Sequence, residues 1–336
     1  MALTLQGTTD FNQAAYDLVA WYALRPELHF DAAASVGSTS ESMRGKSVTF
    51  TIVNDIAIAS TPLTDGVDVT PVAMSDSQIQ ILLAEYGAAI TTTAKNRGTS
   101  FVDIDPIVAN LIGFNAGISV NDVARAALAS GTSVMYGSGL GATSLQTAVT
   151  TRVGVAAGTN ELGSVDLRVA RARLASANVQ RLGAYYVAFM SPDVVADLMG
   201  ESFTNNNTQG WTAAQVYSDP ANVLLGEIGA YQGFRIVETP TAPIFAGAGA
   251  VGINVYGTLC MGRDALAKAF SHAPGFGPMP HIFPGPVVDT LRRNQPFGWY
   301  WLGQYSIFRQ ASVIRIESSS TLNADYGTVY DPAINQ

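Results

Sequence analysis

The sequence predicts an α+β protein in which one domain is inserted into another. Three observations carry this prediction: one long helix signal from Asp105 to Gly131, β-like alternation on both sides of it, and a central α/β stretch that interrupts segments of the outer type. In the helix segment Asp105 suits the N-cap and Pro106 the first helical position, while Ile107, Leu111, Phe114 and Ile118 recur at spacings of four, three and four. Gly131 supplies a stop. At 1.5 Å per residue the segment spans roughly 35 to 40 Å. Gly113 and Gly117 each weaken a helix by about 1 kcal/mol relative to alanine. Ser119 with Asp122 offers a second start, so a break there is the alternative to one continuous helix.

The remaining elements follow in chain order. From Asp10 to Leu24, the apolar Phe11, Ala14, Leu18, Trp21 and Tyr22 fall at helical spacings, and Pro26 ends the pattern. This is an amphipathic N-terminal arm. The small polar run from Phe30 has little to bury and reads as extended or as tied down only by a neighbour. At Val48, Phe50 and Ile52 the period switches to two, and alternation returns at Val67 and Val69, which reads as a β-hairpin. A two-stranded ribbon is marginal alone in water, so it needs a surface to lie on. Ile79, Ile81 and Leu83 alternate as well; the Ala-rich continuation is compatible with helix, but strand is favoured up to Thr93.

After the long helix, Ser133 to Tyr136 is a short strand and the Gly/Thr-rich run near residue 150 marks a domain boundary. Ser164 caps a helix reaching Val179, Tyr185 to Met190 is a buried strand, and Ser191, Pro192 and Asp193 open another helix. Phe234 to Glu238 and Ile253 to Met261 are further strands, with DPANVLLGEIGAYQG between helix and turn. From His272 a Pro/Gly-rich tract crosses back towards the first domain. Trp299 to Phe308 and Ser312 to Glu317 then read as a closing β-hairpin with Trp299 and Trp301 on one face.

Composition narrows the function. Of 336 residues 48% are apolar and only 13% charged, against about a quarter charged in an ordinary soluble domain; a surface so poor in charge suits extensive contact with other protein. Net charge is −8, with three lysines (Lys46, Lys95, Lys268) against fifteen arginines and no basic tract, which argues against sequence-specific DNA binding. Arg168, Arg171, Arg173 and Arg181 could face an anion, but they read first as a solvated helix face or as inter-subunit pairing, and no ligand is assigned to them. The single cysteine, Cys260, lies in an apolar run as a small core residue, so no intrachain disulfide forms. The first residues lack a basic n-region and an apolar h-region, and folding in a cytosol is expected. Thr239 to Gly262 is uncharged and long enough to cross a bilayer, but Pro240, Pro243 and several glycines interrupt it, so no membrane span is expected.

GAGAVG at Gly247 to Gly252 matches the dinucleotide fingerprint, whose mechanism requires a helix N-terminus after the glycines; INVYGTLCM follows, a strand, and no acidic residue lies about 20 positions on. His29, His272 and His281 are far apart and belong to no metal-ligand spacing. No nucleophile elbow, Walker loop or paired carboxylates occur, and Glu161, Asp166, Glu227 and Glu238 are scattered. The expectation is a non-enzymatic protein with no cofactor and no metal.

The ordered set GKSVTFTIVNDIAIASTPLTDGVDVTP, SDSQIQILLAEYGAAITTT and DIDPIVANLIGFNAGISVNDVARAALASGT resembles the major capsid proteins of tailed bacteriophages, which have the Hong Kong 97 fold. GEIGAYQGFRIVETPTAP with INVYGTLCMGRDALA resembles their axial domain, and PFGWYWLGQYSIFRQASVIRIES their closing peripheral hairpin. The resemblance implies an arm at 1–44, an extended loop at 45–75, a peripheral domain at 76–149 and 273–336 carrying the spine helix at 105–131, and an axial domain at 150–272. It implies hexamers and pentamers tiling an icosahedral shell around double-stranded DNA contacted only non-specifically, assembled in a bacterial cytoplasm with a separate scaffolding protein, a portal and decoration proteins. Phe11, Trp21 and Tyr22 of the arm and Val48, Phe50, Ile52, Val67 and Val69 of the loop become candidates for contacts between subunits. Asp105, Pro106, Leu111, Gly113 and Gly117 mark the spine helix, its glycines as points where it could bend. Lys46 sits only at the base of the loop, so the covalent lysine crosslinking of some such coats is not carried over. A protein-cargo nanocompartment of the same fold and a nucleotide-binding enzyme using Gly247 to Gly252 are the alternatives.

Overall fold

The structure is a computed structural model. It describes Phe30 and, from residue 34 to 324, all but residues 39–44, several positions between 54 and 70, 100–103, 146–147, 205–211, 214–225, 273–275, 287–288 and 292. The arm with Phe11, Trp21 and Tyr22 lies outside the described residues, as does Val67. In chain order the elements are β1 (Ala34–Ser38), β2 (Ser47–Val53), β3 (Asp76–Leu82), β4 (Ala84–Thr93), α1 (Ala94–Thr99), α2 (Ile104–Ala129), β5 (Val134–Tyr136), α3 (Ser164–Ser176), β6 (Tyr186–Met190), α4 (Pro192–Thr204), β7 (Thr212–Ala213), β8 (Glu227–Tyr231), β9 (Phe234–Glu238), β10 (Ile244–Phe245), β11 (Val255–Met261), β12 (Leu266–Phe270), β13 (His281–Pro284), β14 (Asn294–Ile307) and β15 (Val313–Ser318).

The strands form three sheets. β2 and β3 make an isolated ribbon; β1, β12, β14 and β13 follow in that order in a five-stranded sheet, with β4 also on β14; β5, β15, β11, β6, β9, β8 and β7 form an eight-stranded sheet with β10 on β11. The long helix α2 is unbroken through Gly113 and Gly117. The second start proposed at Ser119 does not form, because the Ser119 hydroxyl donates back to the Asn115 carbonyl at 2.7 Å, and Asp122 pairs with Arg125 within the helix. The helix begins at Ile104, so Asp105 sits in its first turn rather than at the N-cap, where it meets Arg97 Nε at 3.2 Å.

The face that α2 buries differs from the one read in the sequence. Val108, Ile112, Ala116, Val120, Ala124 and Leu128, four residues apart, enter the core, whereas Ile107 and Leu111 are each 53% exposed and Phe114 45%. Across from the buried row β14 turns Phe297, Trp299, Trp301 and Tyr305 inward at every second residue. The Trp299 indole N–H donates to Asn115 Oδ1 at 2.8 Å, fixing the helix against the strand. Gly303 lies under the Trp301 ring and leaves no room for a Cβ. By length and composition α2 could cross a membrane, but half of its most apolar window is buried in this core.

The eight-stranded sheet is covered on both faces, which explains the continuous apolar runs of its central strands. Val187, Phe189, Leu259 and Met261 face the α2 core. Tyr186, Ala188, Met190 and Cys260 face α3 and α4 through Leu167, Leu174, Val194 and Leu198. Two expected connections fail here. β14 and β15 are not a hairpin: β14 pairs with β4, β12 and β13, while β15 pairs with β11 and β5. The short 3-10 turn Gln310–Ser312 between them sends the chain from one sheet to the other. Within DPANVLLGEIGAYQG lies a strand, β8, joined to β9 by Gln232 and Gly233, both at positive φ (51° and 88°), as a two-residue hairpin turn requires. Ser164 is the first residue of α3 rather than its cap; Asp166 accepts the Gly163 amide N–H at 3.0 Å and closes that end.

Candidate assembly surfaces

The ribbon differs from its expected pairing in one respect and follows it in another. β2 pairs antiparallel with β3, matching Val48 with Ile81, Phe50 with Ile79 and Ile52 with Ser77. The expected partner near Val67 and Val69 is therefore replaced by Asp76–Leu82, and Val69 is 56% exposed outside any strand. One face of the ribbon base is seated on its own subunit: Val48, Phe50 and Ile79 pack around Ile81 against Ala267, Ala269 and Phe308. The Phe50 and Phe308 rings meet edge-on at 5.6 Å. Ile52 is half-buried. Beyond this base Val53, Ile56, Val72 and Met74 are 59 to 74% exposed. Val53 ends β2, and Ile56, Val72 and Met74 lie in the chain between β2 and β3; exposed apolar runs of this kind are common at interaction sites. Lys46 is exposed at the base, where its carbonyl accepts the Leu83 amide N–H.

The C-terminal end of α2 is held by charge. The Arg315 guanidinium donates to the Ala129 carbonyl and, at 3.1 Å, to the Gly131 carbonyl, satisfying groups that a helix end otherwise leaves open. Glu317, 1% exposed, balances it, accepting from Arg315 Nε at 2.8 Å and from Arg152 Nη2 at 2.7 Å. The bidentate bond to Glu317 raises the Arg152 pKa further above its ordinary value. Arg152 also lies over the Phe245 ring at 3.5 Å. The sequence carried a signal for this cluster: Arg315 and Glu317 sit two apart, on one face of β15, among the apolar Val313, Ile314 and Ile316. Gly113 and Gly117 lie on the buried side of α2 and Pro106 and Leu111 on the exposed side.

The places where catalysis would be sought hold structural groups. Gly247 to Gly252 runs into a 3-10 turn, Ala250–Gly252, and then β11, so no helix N-terminus faces the glycines, and the nucleotide-binding alternative loses its mechanism. A cavity of about 510 Å³ is lined by Leu140, Gly141, Asp197, Glu201, Thr321 and Leu322. Its carboxylates serve the backbone: Glu201 accepts from Gly141 N–H at 3.1 Å and Ser164 N–H at 2.8 Å, and Asp197 accepts from Thr321 N–H at 2.9 Å. Asp166, fully buried, is raised by burial against the pull of the Ser138 hydroxyl and the Gly163 and Ser138 amides. Burial also pushes the Cys260 thiol far up, leaving it unreactive. Among the described residues no group of His, Cys, Asp and Glu is placed to hold a metal ion. Arg168, Arg171, Arg173 and Arg181 are exposed.

A family model described as phage capsid protein matches residues 25–324. No curated protein matches the chain. Among solved structures, the capsid of Ralstonia phage GP4 aligns with a TM-score of 0.68 at 15% identity, covering 86% of this chain and 87% of that one. The capsid of the cyanophage P-SCSP1u aligns at 0.61 and 14% identity, covering 87% and 88%. The holo-SrpI encapsulin complex from Synechococcus elongatus PCC 7942 aligns at 0.55 and 9% identity, covering 89% of each chain. With residues 25–324 matched by that model, the chain belongs to the phage capsid protein family, whose members are structural rather than enzymatic: it is a major capsid protein of the Hong Kong 97-like fold and a component of the virion.

Proposed function

We propose that copies of this subunit form hexamers and pentamers that close an icosahedral shell around double-stranded DNA, and that the ribbon beyond its seated base lies across a neighbouring subunit. The observation that carries the proposal is the exposure of Val53, Ile56, Val69, Val72 and Met74, which lie at the end of β2 and in the chain between β2 and β3. A net charge of −8 fits a wall that encloses DNA without gripping it. In this account 150–272 is the axial domain and α2 the spine of the peripheral one, bending at Gly113 and Gly117 as subunits take non-equivalent positions. A separate scaffolding protein, a portal and decoration proteins complete the assembly in the bacterial cytoplasm. Replacing residues 54–74 with a short glycine-serine turn tests the central point. The variant should remain folded, as judged by circular dichroism, yet give no closed shells; normal shells would place the contact elsewhere. A second arrangement, a nanocompartment, draws on the encapsulin likeness. Nuclease-protected DNA in shells recovered from infected cells would exclude it, and a protein cargo in its place would establish it.

A further inference from the structure

Four arginines gather where α3 ends. Arg173 lies in its last turn, and its carbonyl accepts the Ala177 N–H at 3.0 Å. Arg309, between β14 and β15, donates to the Ala177 carbonyl at 2.9 Å and to the Asn178 carbonyl at 3.3 Å. In the turn from β11 to β12 the Arg263 N–H donates to the Gln180 carbonyl at 2.8 Å, one residue from Arg181. A chain with only 18 Lys and Arg thus brings four of them together from three segments, and all four are exposed. The one acid in these segments is the half-buried Asp264. Arg309 serves the helix end, whereas Arg173, Arg181 and Arg263 form no ion pair among the described residues. Tyr185, 41% exposed, adjoins them, its carbonyl accepting the Leu182 N–H. Arginine and tyrosine are residue types in which interface hot spots are enriched.

We infer that this arginine cluster receives the acidic chain between β2 and β3 of a neighbouring subunit, which rests on the reading that the ribbon lies across a neighbour and names the surface it meets there. From Ser47 to Leu82 the sequence holds four aspartates and no Lys, Arg or Glu. Asp65, Asp68 and Asp76 are exposed and form no ion pair among the described residues. Asp105, Asp122, Glu227, Asp289 and Glu317, by contrast, each meet an arginine of their own subunit. Acids and arginines without ion pairs therefore lie on two surfaces of one chain, complementary in sign. Val69 and Val72, exposed close to Asp68, supply apolar side chains for Tyr185 to pack against. Within one subunit it is the ribbon base that adjoins the cluster: Phe50 meets Phe308, next to Arg309, while Asp76 pairs with Val53, three residues or about 10 Å further along. Because the two surfaces differ, the contact runs head to tail, the kind that closes a ring when its rotation fits.

Charge reversal tests the pairing in the full chain, produced together with the proposed scaffolding protein. Arg181→Glu with Arg263→Glu, or Asp65→Arg with Asp68→Arg, should lower the yield of closed shells about tenfold or more while circular dichroism of the unassembled subunit stays unchanged. Arg309 is kept, since it holds the helix end. Combining all four substitutions restores opposite signs and should recover about half of the wild-type yield or more. Normal shells from either pair, or no recovery in the combination, would overturn the inference. So would normal shells that retain less DNA, which would assign the arginines to the genome. The contact is read directly by combining Val69→Cys with Tyr185→Cys and oxidising assembled shells, Cys260 being buried. A head-to-tail contact gives a ladder of disulfide-linked chains ending at pentamers and hexamers on a denaturing gel; intrachain bonds or dimers alone would refute it. Failure here is separable from failure of the ribbon reading. If replacing residues 54–74 abolishes shells while charge reversal leaves them normal, the ribbon still lies across a neighbour but on another surface.

Discussion

Ile112→Ala is the sharpest probe of how the long helix sits. Ile112 is 2% exposed and packs in the core that joins α2 to Phe297, Trp299 and Trp301. The substitution removes three carbon groups, about 2.4 kcal/mol of transfer free energy at roughly 0.8 kcal/mol each. The aromatic side chains opposite are braced by β4 and by the Trp299 bond to Asn115, so the site collapses little and a cavity term adds to the loss. The expected total is about 3 to 4 kcal/mol, within the range for such truncations. Urea unfolding of the unassembled subunit, followed by tryptophan fluorescence, measures it. Asn110→Ala, two residues away on the exposed side, should stay within about 0.5 kcal/mol. A loss below about 1 kcal/mol for Ile112→Ala would refute the assignment of this face to the core.

Arg315→Met should cost about 2 to 3 kcal/mol through the bonds lost to the Ala129 and Gly131 carbonyls. Glu317→Gln should cost about 3 to 5 kcal/mol, because it leaves Arg152 and Arg315 facing each other near a buried site; urea midpoints rank the two. The Gly113→Ala/Gly117→Ala double variant should fold but yield fewer closed shells, and unchanged yields would end the bending proposal. Asp166, raised above 3.8 by burial, binds its proton more tightly folded than unfolded. Its contribution is therefore fully present below 3.8 and declines as pH rises through the folded value. The stability difference between wild type and Asp166→Asn should fall over that window, and a rise would contradict the assignment.

The length and place of α2 were legible because its signal is local: beyond Pro106 in the first turn, where proline is tolerated, no breaker stronger than glycine interrupts it, and tertiary packing outweighs the cost of Gly113 and Gly117. Its orientation was not. Both rows of the helix are apolar, and the one with the larger side chains is the one left outside. The buried row, with Ala116 and Ala124, shares one core with Trp299 and Trp301 of β14, a match visible only once β14 is placed against the helix. Strand pairing failed for the same non-local reason. Val67 and Val69 alternate as convincingly as Ile79 and Ile81, and sequence distance favoured the nearer pair. Between β14 and β15 the short connection suggested a hairpin, but the 3-10 turn at Gln310–Ser312 changes the sheet. The acid and arginine cluster at Glu317 went unread because charges inside a β-run look like edge residues until both faces of the sheet are covered. Where local pattern and burial agreed, as in Phe234–Glu238 and in the Trp299 and Trp301 face, sequence and structure coincide.

The central claim is that this chain exists to assemble. Electron microscopy of the protein, produced together with the proposed scaffolding protein, tests that most directly. The account predicts closed shells of uniform diameter in which the ribbon of each subunit overlies a neighbour. A persistent monodisperse monomer, under the same conditions and at high protein concentration, would contradict it.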